Sequence, residues 1–313
     1  MTTIATSPTT GIRKADNIGL GILLSTTSIL VFGAQDAVSK LLVQDYSPFQ
    51  VVMLRYWAFA ALSLFLALRQ APLRRALSSS APLVQTLRGV LLIVDIWLFA
   101  LAVRTVPLAE LQAITLVYPL LVTLVAIPLL GEKVGPFRLG AVLVGFLGAM
   151  VIVRPGGLPI DAGVYYALGS SVCYAVYIVL TRRVSRHDST PTSMVYVGLV
   201  GLVLSTAVGI FHWQPMDAKG MLMTAVVMAT MCIGHGLMMK ALSLAPASVL
   251  QPFNYLSLPW GITLSFVIFG HLIDPISLLG AAVIVVAGLV VMARERRRAA
   301  TPATPAEALG PRE

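Results

Sequence analysis

The feature that most constrains this chain is a series of apolar runs, each about 20 residues long, divided by short polar breaks. A helix rises 1.5 Å per residue and the hydrocarbon core of a bilayer is about 30 Å thick, so such a run crosses it once. Ten runs qualify, at 18–42, 48–68, 83–103, 107–130, 137–154, 163–181, 192–211, 220–241, 247–269 and 276–293. The spacing predicts an all-α integral membrane protein of ten transmembrane helices. Composition agrees, since only 11% of the 313 residues are charged, against about 25% in a soluble domain that must cover itself in water.

The net charge of +9 raises nucleic acid as a partner. Placement argues against it, because the basic residues are not gathered on one domain or tail. They sit in short breaks such as Arg74-Arg75, Arg182-Arg183 and Arg296-Arg297-Arg298, as topology signals do. With the N-terminus in the cytoplasm, fifteen Lys and Arg fall on the cytoplasmic side. Only Arg104, Arg154 and Lys219 fall opposite. Both termini are therefore expected inside, in a bacterial inner membrane. Residues 1–17 form a polar tail with no cleavage site after the first apolar run. Residues 294–313 form a basic tail whose Ala/Pro/Glu-rich end predicts disorder.

Residues 18–154 and 155–293 read as two copies of one unit. An offset of 139 residues sets Pro107 on Pro246, Leu111-Gln112 on Leu250-Gln251, Gly131 on Gly270 and Pro136 on Pro275. One inserted residue later, Gly140 meets Gly280 and Gly148 meets Gly288. Polar and helix-breaking residues in register are harder to obtain by chance than matching apolar ones. Five helices per copy is an odd number, so the copies should run in opposite directions across the bilayer. The loops follow: Gly131-Glu132-Lys133 carries a lysine on the inner side, and Gly270-His271-Leu272 has lost it on the outer side.

Ala102 to Pro107 ahead of Leu111-Gln112, then Pro119, Leu130-Gly131-Glu132-Lys133, Gly140 and Gly148 resemble the drug/metabolite transporter superfamily. The type is the one in which each half is an EamA domain. The resemblance covers about Ile18 to Met292. It implies a ten-helix basket opening alternately to each side, and members that export aromatic and other amino acids or related metabolites. It brings no universal set of site residues.

Candidate site residues come from the chain itself. An ionisable group at membrane depth costs about 2.5–3.5 kcal/mol on insertion scales and so faces protein or a wet interior. Asp95, mid-helix with Trp97 beside it, reads as a proton or substrate-ammonium site, or as half of a structural ion pair. Asp36 and Lys40, one turn apart, suit an i,i+4 pair. With Arg55 and Glu110 they suggest an outer gating network, or a static one with Lys40 snorkelling. Gly234-His235-Gly236 places a histidine where it can meet a carboxylate or pack against a neighbour, and Lys240 marks an entry point or the interface. Gln251, Asn254, Tyr255 and Trp260 lie in a segment interrupted by Pro252 and Pro259. Gln112 and Tyr118 lie in the matching first-half segment, with Pro119 and Pro128. Interrupted segments at corresponding positions are the best sequence pointer to a transport site. Tyr174 joins them as a mid-span aromatic that can stack on cargo or fill the core. The paired glycines at 140/148 and 280/288 read as helix-packing positions.

No phosphate-binding loop, metal-ligand spacing or cofactor motif occurs, and Cys173 and Cys232 sit inside apolar runs. The rival classes are an intramembrane enzyme, which needs paired catalytic groups at one depth, and a channel, which usually needs a symmetric pore. The expected partners are lipid and a small metabolite, amino acids first, handled by a monomer or weak dimer.

Overall fold

The structure, a computed structural model, describes residues 17–70, 72–131, 134–153, 161–185, 187–245 and 247–300. Glu132-Lys133, Arg154 to Gly157, Pro246, residues 1–16 and 301–313, and the side chains of Arg138, Gln251 and residues 295–300 lie outside the described residues. Every regular element among the described residues is helical. In the first half these are α1 (Ile18–Asp45), α2 (Pro48–Leu68), α3 (Leu73–Ala76), α4 (Pro82–Thr105), α5 (Leu108–Thr115), α6 (Tyr118–Leu130) and α7 (Pro136–Ile152). In the second half they are α8 (Ala162–Val184), α9 (Thr190–Gly209), α10 (Ala218–Leu244), α11 (Ala247–Leu250), α12 (Ser257–Phe269) and α13 (Pro275–Ala300). Two 3-10 turns, Ile210–His212 and Gln251–Leu256, lie between them.

Local signals set the ends. Pro48, Pro82 and Pro136 open their helices, where a missing N–H costs nothing. Asn17, Asp161, Ser189 and Asp217 cap others through side-chain acceptors. Two of the ten expected spans differ from simple rods. Residues 108–130 break at Leu116-Val117, and residues 247–269 change from α to 3-10 and back. Pro119 and Pro252 each withhold a backbone donor at those points. α6 and α12 then end on Gly131 and Gly270, at φ of 67° and 66°, a left-handed cap that glycine takes without Cβ strain.

Among the described residues, eight segments are long and apolar enough to cross a bilayer. Against the expected ten, α7 is a shorter apolar helix of 17 residues and 247–269 is the interrupted segment. The last helix also runs past the expected boundary at 293 to Ala300, so residues 294–300 are helical. Leu23, Phe65, Leu143, Met150, Val203 and Val267 are among many large apolar side chains on the outside, the surface of a protein solvated by lipid.

The two halves are interleaved. α1 packs along α10 and α4 along α8, so the first helix of each half lies on the third of the other. α2 packs on α9, and α7 on α13. α1 and α4 end at the same side, where Lys40 and Gln44 reach the last residues of α4. α8 and α10 begin at that side: an added Cβ on Gly163 would meet Thr105, and Gly220 lies on Tyr46. α7 and α13 cross so closely that a Cβ on Gly148 would sit 2.7 Å from the Gly280 carbonyl oxygen, and one on Gly280 2.5 Å from that of Gly148. Their role as packing positions is seen here. Gly140, by contrast, has nothing within 4 Å, and Gly288 receives the Tyr255 hydroxyl.

Candidate functional site

Polar groups at depth converge where the halves meet. Asp36 on α1 accepts a hydrogen bond from Gln112 Nε2 of the broken α5 segment at 3.0 Å. Asp95 on α4, only 9% exposed, accepts one from Ser170 Oγ of α8 at 2.5 Å. Arg55 on α2 interacts electrostatically with both carboxylates, and its Nε is buried without a protein partner. Two carboxylates around one guanidinium leave the group one negative charge in excess when all are ionised. Such a charge at membrane depth is tolerable only with donors and a polar interior around it.

Aromatic rings flank this group. Tyr118 meets Tyr174 edge-on at 4.9 Å, and Tyr174 stacks on Tyr177 at 5.8 Å. Asn254 Nδ2 donates to the Tyr118 hydroxyl at 3.4 Å. His235 is held by its Nδ1–H donating to the Met231 carbonyl at 3.0 Å, which leaves Nε2 as the acceptor. Its ring lies between Phe32 at 5.0 Å and Phe59 at 4.8 Å. Asp36, Arg55, Tyr118, Tyr174 and His235 are each partly buried and keep part of their surface accessible. The rings offer flat faces and edges to an apolar or aromatic cargo, and the charged group offers an anchor for its polar end.

Several expected roles change. Asp36 and Lys40 do not pair: Lys40 Nζ donates to the carbonyl oxygens of Val103 and Val106, at 2.6 and 2.8 Å, and caps the end of α4 from another helix. A lysine there finds two unpaired carbonyls at the negative helix end, a better partner than a carboxylate already held by Gln112. The four-charge outer network therefore divides. Arg55 and Asp36 belong with Asp95, whereas Glu110 pairs with His271 Nε2 at 2.9 Å, near Lys40. Trp260 packs over Gly33 and donates from Nε1 to the Leu30 carbonyl at 2.9 Å, which fixes α12 to α1. Tyr255 lies near Tyr118 but buries its hydroxyl against Gly288. Trp97 sits edge-on to Phe49 at 5.9 Å in the apolar cluster of α2, α4 and α9. Lys240 is exposed near the end of α10.

Sequence reasoning did not place Phe32, Phe59, Ser170 and His271 at the site, whereas Tyr177, like Tyr174, stands out as a mid-span aromatic. Phe32 and Phe59 stand four residues from Asp36 and Arg55, so helical spacing from a charged residue could have found them. Ser170 and His271 carry no such signal, because their partners lie on distant segments.

Loops tie the ends. Asp188, between α8 and α9, takes hydrogen bonds from Ser79, Ser80 and Gln85 before and on α4. Partial burial pushes its carboxyl up, but these donors outweigh that and bring it from 3.8 to about 2. At the other end Asp217 accepts from Gly220 N at 2.6 Å and from the Tyr46 hydroxyl at 2.8 Å. The Gly220 bond first, then Tyr46, lowers its carboxyl below the usual range.

A multi-pass helical chain in two like parts, with its polar groups gathered between them, is a membrane transporter by architecture. The chain belongs to the EamA-like transporter family, whose profile matches residues 19–154 and again 161–293. Similar proteins are transporters and not enzymes. The riboflavin transporter of Vibrio cholerae is 29% identical over 269 residues, 85% of this chain and 90% of that one. An S-adenosylmethionine uptake transporter of Rickettsia prowazekii is 22% identical over 88% of this chain and 94% of its own. The pseudopaline exporter of Pseudomonas aeruginosa is 23% identical over 87% and 95%. One solved crystal structure shares the fold, with a TM-score of 0.58 at 21% identity over 90% of this chain and 99% of that one.

Proposed function

We propose that this chain is an alternating-access carrier of small metabolites that bear a flat aromatic ring, with riboflavin the first cargo to test. One observation carries the reading: the Asp36–Arg55–Asp95 group lies beside the Tyr118–Tyr174–Tyr177 rings and His235, at the junction of the two halves. Rings bind a ring by stacking, and charged groups orient its polar substituents. The similarity to riboflavin transporters supports this cargo class.

Aromatic amino acids, moved outward, form a second reading. A zwitterion needs one anion and one cation at its α-carbon, and Arg55 with Asp95 or Asp36 supplies both. The architecture that serves either cargo is ten spans in two oppositely directed five-helix halves, 18–154 and 155–293, in a bacterial inner membrane with both ends cytoplasmic. The swapped packing of α1 on α10 and α4 on α8 supports that arrangement, as does the positive-inside count. The site residues are then Asp36, Arg55, Asp95, Gln112, Tyr118, Tyr174, His235 and Asn254, and Glu110 with His271 joins the halves at one end.

Counterflow in proteoliposomes tests both. The expected result is saturable, trans-stimulated exchange of labelled riboflavin, competed by unlabelled cargo. Exchange of tryptophan or phenylalanine without riboflavin selects the amino-acid reading. Exchange confined to non-aromatic compounds ends both, and unsaturable flux ends the carrier.

A further inference from the structure

Outside the site, the membrane-facing surface carries a groove of about 610 Å³ between α7 and α13. The two helices touch at Gly148 and Gly280 and separate from there. Phe137, Gly140 and Val144 line one wall and Val283, Val286 and Val290 the other. The lining is apolar throughout, and Val144, Val286 and Val290 remain well exposed. A concave apolar site of this volume is in the range that encloses a drug-sized apolar molecule. One end of the groove is charged. The Arg294 guanidinium stacks 3.8 Å from the centre of the Phe137 ring. The groove positions Val283, Val286 and Val290 advance in steps of three and four to Arg294, and the same steps continue along the chain to Arg297 and Arg298. Arg296 lies on this stretch of helix and Arg138 follows Phe137 in sequence, against a single nearby acid on the stretch, Glu295.

We propose that this groove is a binding site for an anionic phospholipid, one acyl chain lying between α7 and α13 and the phosphate meeting Arg294. Each end of the site matches one end of such a lipid. Apolar walls take the chain, and the basic end favours a negatively charged headgroup by roughly fivefold per arginine near the membrane surface. A second copy of this chain fits the groove less well. A two-fold contact would set hollow against hollow and bring both arginine clusters to the same end.

The test uses the purified full chain with equal amounts of phosphatidylglycerol and phosphatidylcholine of the same acyl length, read by native mass spectrometry. Phosphatidylglycerol should be retained preferentially. Arg294→Gln should reduce that preference about fivefold and leave phosphatidylcholine retention unchanged. Gly140→Phe should reduce retention of both lipids by filling the groove; its Cβ meets nothing within 4 Å, so the fold can accept it. If that variant does not fold, Arg294→Gln alone decides. Equal retention of the two lipids, or a preference that Arg294→Gln does not change, overturns the proposal. So does cross-linking of Val144→Cys chains to each other in bilayers rich in anionic lipid, which would assign the groove to a second copy.

Discussion

The two halves share a scaffold and divide the chemistry. α4 and α10 end, the broken segments begin, and α6 and α12 close on a left-handed glycine at positions 139 residues apart in each case. The buried charges do not repeat. Among the described residues, every buried Asp, Glu, Lys or Arg (Lys40, Arg88, Asp95 and Glu110) is in the first half, as are Asp36 and Arg55. The second half answers with hydroxyls, rings and one histidine: Ser170, Tyr174, Tyr177 and His235. Position 95 becomes a glycine, Gly234, at the same offset. Features kept in both halves are those that shape and bend helices. Features present in one half are those that can hold a charge or a cargo.

The sharpest way to break this comparison is Arg55→Met. Removing the cation leaves two carboxylates at membrane depth without their shared counter-charge, at a cost of about 3–5 kcal/mol, seen as a lower Tm and lost counterflow. His235→Gln in the second half should cost on the order of 1 kcal/mol. Equal losses would mean that the charged half has no special role. The triple variant Asp36→Asn, Arg55→Met, Asp95→Asn should regain most of the stability and none of the transport, because replacing all partners of a buried charge group is far milder than removing one.

Next in size, Asp95→Asn should lower exchange at least about tenfold and change its pH dependence, while Ser170→Ala, which removes only the donor, should cost about 2 kcal/mol of stability. An Asp95→Asn protein with a normal rate and an unchanged pH profile would remove the carboxylate from the mechanism. For the shared scaffold, Gly148→Ala and Gly280→Ala should each cost about 1–3 kcal/mol, because both meet backbone that cannot retreat. A large difference between the two would show that the crossing is not equivalent in the halves.

The smallest effect concerns the loops. Asp188 has its carboxyl lowered to about 2 in the folded protein from 3.8, so its ionised form favours folding. That contribution is complete above about pH 4 and fades as pH falls toward 2. Asp188→Asn should therefore lower Tm slightly at neutral pH and flatten the decline of Tm between those values. An unchanged acid limb would show that the Ser79, Ser80 and Gln85 bonds do not hold the loop.

Much of the fold could be read in the chain because lipid makes few demands. Each span must be apolar and about 20 residues long, and prolines and glycines must mark where it bends or stops. Hence 48–68 is a helix with those bounds, and the interruptions fall beside Pro119 and Pro252. Hydropathy gives depth but not azimuth, so it could place Asp36, Lys40 and Arg55 at similar depth without showing which neighbour each faces. Lys40 turned to the end of α4 because two carbonyls were unpaired there, a fact about chain ends that meet only after folding. Trp260 looked like a site residue for its place in the broken segment, but Gly33 on α1 gave its ring a seat.

The swapped packing has a consequence for how this protein is made. α1 lies along α10, which leaves the ribosome about 200 residues after it, and at about 5–20 residues per second that is roughly 10–40 s. Through that interval the first helix must wait in or beside the membrane with Ser28 not yet matched to α10. Ser28 Oγ finds the Gly234 carbonyl at 2.8 Å only at the end of the wait. For this chain, order of synthesis and order of contact run against each other. The earliest helix is among the last to be completed.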